Sequence, residues 1–130
     1  MEPGFPRGRR KINMAEKEQR RYIAFQILSQ AKLQQGDIHN AVWQALLNFL
    51  GELGTAEAEA WPVRGVWDDE KQQGLVRCGN SYIEKVRTAL ALVIRINDVP
   101  VCIRVLGVSG TVGAAQHKYF GERDLTAFVK

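Results

Sequence analysis

GLVRCGNSYIEKVRTALALV, at residues 74–93, is the most informative part of the sequence for the fold, because a strand and a helix follow each other in it. GLVRC is a short apolar run of strand length. Asn80 or Ser81 can then cap a helix. Ser81 and Glu84 also have the spacing of a capping box. The apolar residues that follow recur at helical spacing and predict one buried stripe: Ile83, Val86, Ala89, Leu90 and Val93.

A similar strand and helix precede this unit. RYIAFQILS (21–29) alternates its side chains between two faces, which predicts a strand. Asp37, directly after a glycine, predicts the start of a helix. Gly51 and Gly54 predict its end. The apolar residues of this helix lie at 3.6-residue spacing: Ile38, Ala41, Val42, Ala45, Leu46, Phe49, Leu50 and Leu53.

Two further strands complete the pattern. VRGVW (63–67) predicts a strand that a polar hairpin loop, DDEKQQ, joins to GLVRC. Asn97 and Asp98 predict a turn before the strand VCIRVLGV (101–108). A short helix is expected over 111–120. The order β-α-β-β-α-β is that of an α+β, ferredoxin-like (RRM-like) sandwich, here with an extra C-terminal helix.

Strand alternation assigns residues to the two faces of the predicted sheet. The helices should cover Ile23, Phe25, Ile27, Val76, Cys78, Ile103 and Val105. The opposite face carries Tyr22, Gln26, Arg77 and Arg104. It also carries five less polar residues: Ala24, Leu28, Leu75, Cys102 and Leu106. Such a face is too apolar to be left bare, so we expect these five to contact the C-terminal helix or a partner protein.

The net charge of +4 comes entirely from the N-terminus. Residues 1–21 hold seven of the 18 basic residues and three of the 14 acidic ones, so 11 of each remain elsewhere. We therefore expect a flexible basic arm at 1–19, a domain at 20–122 and a tail at 123–130. A basic arm on a neutral body suggests a polyanionic partner. A solvated tail that aids solubility is the alternative.

Cysteine usage and hydropathy bound the class of protein. Cys78 and Cys102 lie far apart, which predicts neither a metal site nor a disulfide framework. No stretch approaches the ~20 apolar residues of a membrane span. No apolar segment follows the basic N-terminus as it would in a signal peptide. We expect a cytoplasmic protein with no membrane partner.

Residues suited to catalysis are few. His39 and His117 are the only histidines, and neither has metal-ligand spacing. The acidic run Asp68–Glu70 could hold a metal or act as acid and base. A charged turn is the more common role for such a run. The sequence therefore predicts no catalytic residue, no metal site and no cofactor bound by the protein.

Two other patterns suit nucleic acid. Gly107, Gly110 and Gly113 could expose backbone amides to a phosphate, or form a tight strand-to-helix turn. GLVRC lacks the aromatics on which RRM-like sheets stack bases, so we expect phosphate contacts instead. Pairing of the arginines with nearby carboxylates is the alternative. The predicted RNA-binding residues are Arg7, Arg9, Arg10, Lys11, Arg20, Arg21, Arg77 and Arg104.

Three segments together resemble one known family. RRYIAFQI (20–27), QGLVRCGNSYIEKVRTALALV (73–93) and IRVLGVSGT (103–111) are similar to the small protein subunit of archaeal ribonuclease P, called protein component 2, which the eukaryotic enzyme shares. The resemblance extends from Arg20 to about Phe120.

This resemblance implies a ferredoxin-like fold and a role in tRNA processing. In that endonuclease the RNA subunit performs Mg²⁺-dependent hydrolysis, which removes the 5′ leader of precursor tRNA. The implied partners are the ribonuclease P RNA and a larger protein subunit of barrel fold, with precursor tRNA contacted indirectly. Self-association is a further possibility. The protein would be a non-catalytic subunit of a ribonucleoprotein hydrolase.

Two other functions stay open at this point. A ferredoxin-like regulatory domain could bind an effector at the GVSG turn, and a protein-only assembly adaptor would use its arginines on protein. RNA binding by counterion release weakens steeply with salt, whereas effector binding in a pocket hardly changes, so a salt titration separates the classes.

Overall fold

The computed structural model describes residues 19–120, without the side chain of Phe120. The predicted tail and all of the predicted arm except Gln19 lie outside the described residues. The helices and strands, in chain order, are β1 (Arg20–Ser29), α1 (Gln35–Ala58), β2 (Trp61–Pro62), β3 (Gln73–Gly79), α2 (Ile83–Ala91), β4 (Arg95–Ile96), β5 (Val99–Ser109) and α3 (Val112–Ala115). A 3₁₀ turn, Asn80–Tyr82, precedes α2, and a π-helical turn, Gln116–Phe120, follows α3.

The strands form one five-stranded sheet in the order β2-β3-β1-β5-β4. Every neighbouring pair is antiparallel, and β1 lies in the centre between β3 and β5. This arrangement confirms the predicted ferredoxin-like α+β fold. β4 is an addition to the predicted strands. It forms a hairpin with the start of β5 around Asn97 and Asp98, the predicted turn, where both residues have positive φ.

The second strand differs from the prediction. Only Trp61 and Pro62 are extended, and they pair with Arg77 and Val76 of β3. The strand predicted at 63–67 is wrong, because Gly65 adopts a φ of +83°, which ends the extended run. One hydrogen bond from the Val63 amide to the Leu75 carbonyl, 2.9 Å long, continues the pairing past β2.

Helix α1 continues past both glycines that were predicted to end it. The backbone of Gly51, with φ 79° and ψ 170°, breaks the helical geometry, yet the chain resumes the helix until Ala58. The buried Thr55 hydroxyl lies 2.7 Å from the Gly51 carbonyl oxygen and 3.2 Å from that of Leu46. The hydroxyl therefore links the part of the helix after the break to backbone carbonyls at and before it.

The predicted caps are also corrected. The N-cap of α1 is Gln34, so Asp37 lies inside the first turn, where its charge suits the helix dipole. Asn80 and Ser81 belong to the 3₁₀ turn before α2 and do not occupy its N-cap position, which is Tyr82.

The main core lies between the helices and one face of the sheet. It contains the predicted inner residues of β1, β3 and β5 together with the buried stripes of both helices. A second, smaller core lies on the opposite face, where Ala24, Leu75 and Ala115 are buried. Tyr22, Leu106 and Tyr119 are among the residues that pack around it. The C-terminal helical segment therefore covers the middle of the second face, as one of the two sequence-based expectations had it.

Gly107 makes this covering possible. A Cβ atom at Gly107 would overlap the ring and hydroxyl of Tyr119, so only glycine lets that ring lie directly on the sheet. The turn that follows is fixed by Thr111, whose Oγ1 accepts a hydrogen bond of 3.0 Å from the Ala114 amide. This packing favours the strand-to-helix turn as the reason for the glycines.

Candidate nucleic-acid interface

On the second face of the sheet, whose middle the C-terminal segment covers, the register of the three central strands fixes where the cations lie. Across β3, β1 and β5, Arg77 pairs with Tyr22, and Gln26 pairs with Arg104. Arg77 and Arg104 thus lie on the strands that flank β1, as predicted. Their partners Tyr22 and Gln26 are four residues apart on β1, so the two arginine backbones are separated by about 13 Å along the strands and by roughly 10 Å across them. The second core lies between them.

Arg77 is engaged within the protein. Its guanidinium carbon lies 3.7 Å from the centre of the Trp61 ring, and its Nη2 lies 3.5 Å from Glu59 Oε1. Only 14% of the side chain is exposed. This geometry matches the alternative in which the arginine pairs with a carboxylate. RNA binding by Arg77 stays a prediction, and it would require the side chain to leave these partners.

Arg104, by contrast, is available to an outside ligand. The residue is exposed, and within residues 19–120 it has neither an ion pair nor a side-chain hydrogen bond. Its cross-strand neighbour Gln26 is neutral and donates from Nε2 to the Lys71 carbonyl oxygen over 3.1 Å. A cation without a nearby carboxylate partner suits a phosphate.

The start of β1 adds two more cations. Arg20 is exposed, and Arg21 is half-buried. The Arg21 guanidinium donates to the Arg20 carbonyl oxygen over 2.9 Å and to the Gln19 side chain over 2.7 Å. The other predicted RNA-binding residues lie outside the described residues: Arg7, Arg9, Arg10 and Lys11. The arm that carries them joins the sheet at the Arg77 end of β1.

The predicted partner-interface residues divide into two groups. Ala24 and Leu75 are buried in the second core, and Leu106 packs against it, so the chain's own helical segment covers them. Leu28, which is 42% exposed, and the exposed Cys102 lie opposite each other at the far end of β1 and β5. The apolar surface left for a partner on this face is therefore the Leu28–Cys102 end.

The acidic run after β2 forms a charged turn. Asp68 Oδ1 accepts a hydrogen bond from the Lys71 amide, and Asp69 Oδ2 lies 3.2 Å from Lys32 Nζ. Hydrogen bonds from Lys32 and the Trp67 indole lower the pKa of Asp69. Among the described residues, no group of three or more His, Cys, Asp and Glu side chains is placed to hold a metal ion. No helix within 19–120 is long and apolar enough to cross a membrane.

One feature near β2 was missed by the sequence reasoning. A groove of about 550 Å³ between α1 and β2 is lined by His39, Asn40, Trp43, Trp61 and Arg64, among others. Burial, and then the charge of Arg64, lower the pKa of His39. The position of Trp43 outside the apolar stripe of α1 was the available signal. The partners of Trp43 across the groove depend on where β2 pairs, which the sequence did not predict correctly.

Comparison with known proteins identifies the family. Residues 21–120 match the Rpp14/Pop5 family. The chain belongs to this family. Relatives named Ribonuclease P protein component 2 include those of Thermococcus gammatolerans, 39% identical over 106 residues, and Pyrococcus furiosus, 38% identical over 106 residues. Each alignment covers 82% of this chain and 87% of the relative. The relative in Methanocaldococcus jannaschii is 35% identical over 105 residues, 81% of this chain and 75% of its own.

A solved structure agrees with the fold. A chain in the cryo-electron microscopy structure of yeast ribonuclease MRP superposes with a TM-score of 0.57, covering 85% of this chain and 96% of that one. At 14% identity this similarity concerns the fold alone. The Rpp14/Pop5 match includes Arg77, Arg104, the groove and all of the sheet except Arg20. It begins after Arg20, so the basic arm lies outside it.

Proposed function

We propose that this chain is a non-catalytic protein subunit of ribonuclease P, which supports the RNA subunit as that RNA removes the 5′ leader from precursor tRNA. The observation that carries the proposal is membership of the Rpp14/Pop5 family over residues 21–120, with relatives that bear the name of a ribonuclease P component. Members of this family are subunits of a ribonucleoprotein, so the function is exerted in complex with RNA.

The protein's contribution in this proposal is electrostatic positioning. Arg104 and Arg20, together with the arm, contact phosphates of the RNA subunit and fix its placement without reading bases. Neutralising phosphates also lowers the repulsion between folded RNA segments and releases counterions. The RNA subunit, not the protein, holds the Mg²⁺ that hydrolysis requires. Precursor tRNA is contacted through the assembled complex.

The protein partner in this proposal meets the sheet at its uncovered end. Leu28 and Cys102 would contact the larger, barrel-fold subunit, because they are the predicted interface residues that the described part of the chain leaves exposed. Ala24 and Leu75 would take part only if α3 moved away. Self-association through the same end is the alternative use of this surface.

Recovery of RNA with the native protein tests the proposal and its two rivals. The full chain, tagged and expressed in its own cells, should retain one abundant RNA together with precursor tRNA fragments that still carry a 5′ leader. Raising the salt concentration should strip these RNAs steeply, since phosphate contacts dominate. A preparation that holds a small effector but no RNA would favour the regulatory domain. Recovery of protein partners without RNA would favour the adaptor.

A further inference from the structure

We propose that the groove between α1 and β2 binds an unpaired nucleotide of RNA, with the base stacked on the indoles of Trp43 and Trp61 and the phosphate at Arg64. That the ligand is RNA rests on the proposed function, whereas the site itself is inferred from the geometry of the groove. It is separate from the sheet face, because its residues come from the first half of α1 and from the edge strand β2 with the turn after it.

The two indoles provide an aromatic surface that is already in place. Trp43 and Trp61 both line the groove. Trp43 is half-buried, and Trp61 is 41% exposed. The Arg77 guanidinium stacks on Trp61 at 3.7 Å, and Glu59 holds that guanidinium. Arg77 is thus a positioning residue for the indole. A fixed aromatic ring loses little conformational freedom when a base stacks on it.

Charge selects an anionic ligand for this groove. Arg64 is exposed and lines both this groove and the adjoining depression formed by the start of α1. Among residues 19–120, no carboxylate lines either of them. The carboxylates Glu52 and Glu59 line a different groove, which shares Trp43 and Trp61 as a wall. A phosphate therefore fits on the Arg64 side of the indoles and not on the other.

Polar side chains complete the site for a base edge. Asn40 offers an amide donor and acceptor, and neutral His39 offers one of each. Proteins recognise unpaired nucleotides with this combination: aromatic rings for stacking, a cation for the phosphate, and side chains that both donate and accept hydrogen bonds. The groove volume of about 550 Å³ lies in the range of sites that bind small molecules. The proposal thus places base stacking at β2, the edge strand of the sheet.

Intrinsic fluorescence tests this site directly, because the three tryptophans of the chain divide clearly. Trp43 and Trp67 both pack against the main core, Trp67 beside Phe25 with ring centroids 6.4 Å apart, but of the three only Trp43 and Trp61 line the groove. Titration of the full chain with single-stranded hexaadenylate should quench the fluorescence, because a stacked base quenches indole emission. A blunt duplex RNA of equal length should not. The quenching at saturation should persist when the salt concentration rises, even though the affinity falls.

Variants locate the contact. Trp61→Ala should weaken hexaadenylate binding roughly tenfold, the typical loss for one stacking platform. Trp61→Phe should keep most of the affinity. Phe49→Ala is the matched control, because Phe49 is an equally exposed aromatic of α1, 43% accessible, that lies outside the groove. It should bind like wild type. Equal losses for the alanine variants of Trp61 and Phe49 would overturn the proposal.

Cross-linking supplies a readout that needs no variant. A hexanucleotide with one 4-thiouridine should cross-link to the peptide containing Trp61 or to the one containing Trp43. Cross-links confined to the sheet face, or no quenching at saturating RNA, would overturn the site. Trp61→Ala protein that binds hexaadenylate normally but fails to assemble with the other protein subunits would assign the groove to a protein, which also overturns it. The two proposals can fail independently. If Trp61→Ala abolishes quenching by hexaadenylate while tRNA processing stays normal, the groove binds RNA as proposed and the ribonuclease P function does not depend on it.

Discussion

At the scale of single residues, the second face of the sheet depends on Gly107. Because Gly107 has no side chain, the Tyr119 ring can occupy the space where a Cβ atom would lie. The C-terminal segment can then pack over Ala24 and Leu75. A single methyl group at this position therefore competes with the packing of the Tyr119 ring on the sheet.

Gly107→Ala is expected to destabilise the protein by about 1–3 kcal/mol, because the new methyl displaces Tyr119 and loosens the second core. Urea unfolding measures this free energy. Gly110→Ala is the matched control, since a Cβ at Gly110 meets nothing within 4 Å. Equal stability of the two variants would contradict the packing described for Tyr119.

His39 gives the stability of the domain a pH dependence of defined sign. Burial, and then Arg64, lower the pKa of His39 below its ordinary value of 6.5. Between the two pKa values the unfolded chain binds more protons than the folded one, so stability rises with pH. It is fully present above about 6.5 and decreases as the pH falls toward the folded-state pKa.

We therefore expect His39→Gln to lose less stability than wild type when urea unfolding is compared at pH 7.5 and pH 5.5. If His39→Gln and wild type show the same change between the two pH values, His39 is not held in its neutral form by its surroundings.

At the scale of secondary structure, the periodicity of apolar residues predicted the long strands and helices and missed the two-residue strands. β1, β3, β5 and both helices have enough residues for an alternating or 3.6-residue pattern to be recognised. β2 and β4 have two residues each, and two residues carry no period. The apolar run at 63–67 looked like a strand, but the backbone of Gly65 ends it.

The candidate sites follow the same division. Arg77 and Arg104 were placed correctly on β3 and β5 because strand alternation fixes the face of the sheet. The engagement of Arg77 could not be predicted, since its partners Glu59 and Trp61 lie where α1 ends and β2 begins. The groove depends on the same junction, which propensities alone do not position.

The break in α1 provides a test at this scale. Thr55→Val removes a buried hydroxyl that lies within hydrogen-bonding distance of the carbonyls of Gly51 and Leu46, so we expect a loss of about 1–3 kcal/mol in the free energy of unfolding. Thr88→Val is the control, because the exposed Thr88 hydroxyl donates to the Glu84 carbonyl oxygen within an unbroken helix. A Thr55→Val variant as stable as the Thr88→Val variant would show that the hydroxyl does not support the break.

At the scale of the whole molecule, the two faces of the sheet differ in what packs against them. The helical layer completes the main core, and the opposite face combines a covered centre with cations at its margins. In the proposed function, these cations would bind RNA phosphates and the RNA subunit would perform the hydrolysis.

Salt dependence separates the two faces. Arg104→Ala should reduce the log–log salt slope of binding to the ribonuclease P RNA by about one unit, since one phosphate contact is lost. Arg87→Ala makes the same charge change on α2, where Arg87 lies 3.9 Å from Glu84, and should leave the slope unchanged. A slope that changes equally in both variants would mean that the protein binds RNA without a preferred face.

Cleavage by a reconstituted enzyme tests the central proposal most directly. The RNA subunit and the other protein subunits are assembled with or without this full chain, and release of the 5′ leader from precursor tRNA is measured at limiting Mg²⁺. Addition of the chain should raise the rate of cleavage at the mature 5′ end, and the purified chain without the RNA subunit should release no leader. An unchanged rate on addition of the chain, or Mg²⁺-dependent cleavage by the chain without RNA, would contradict a supporting, non-catalytic subunit.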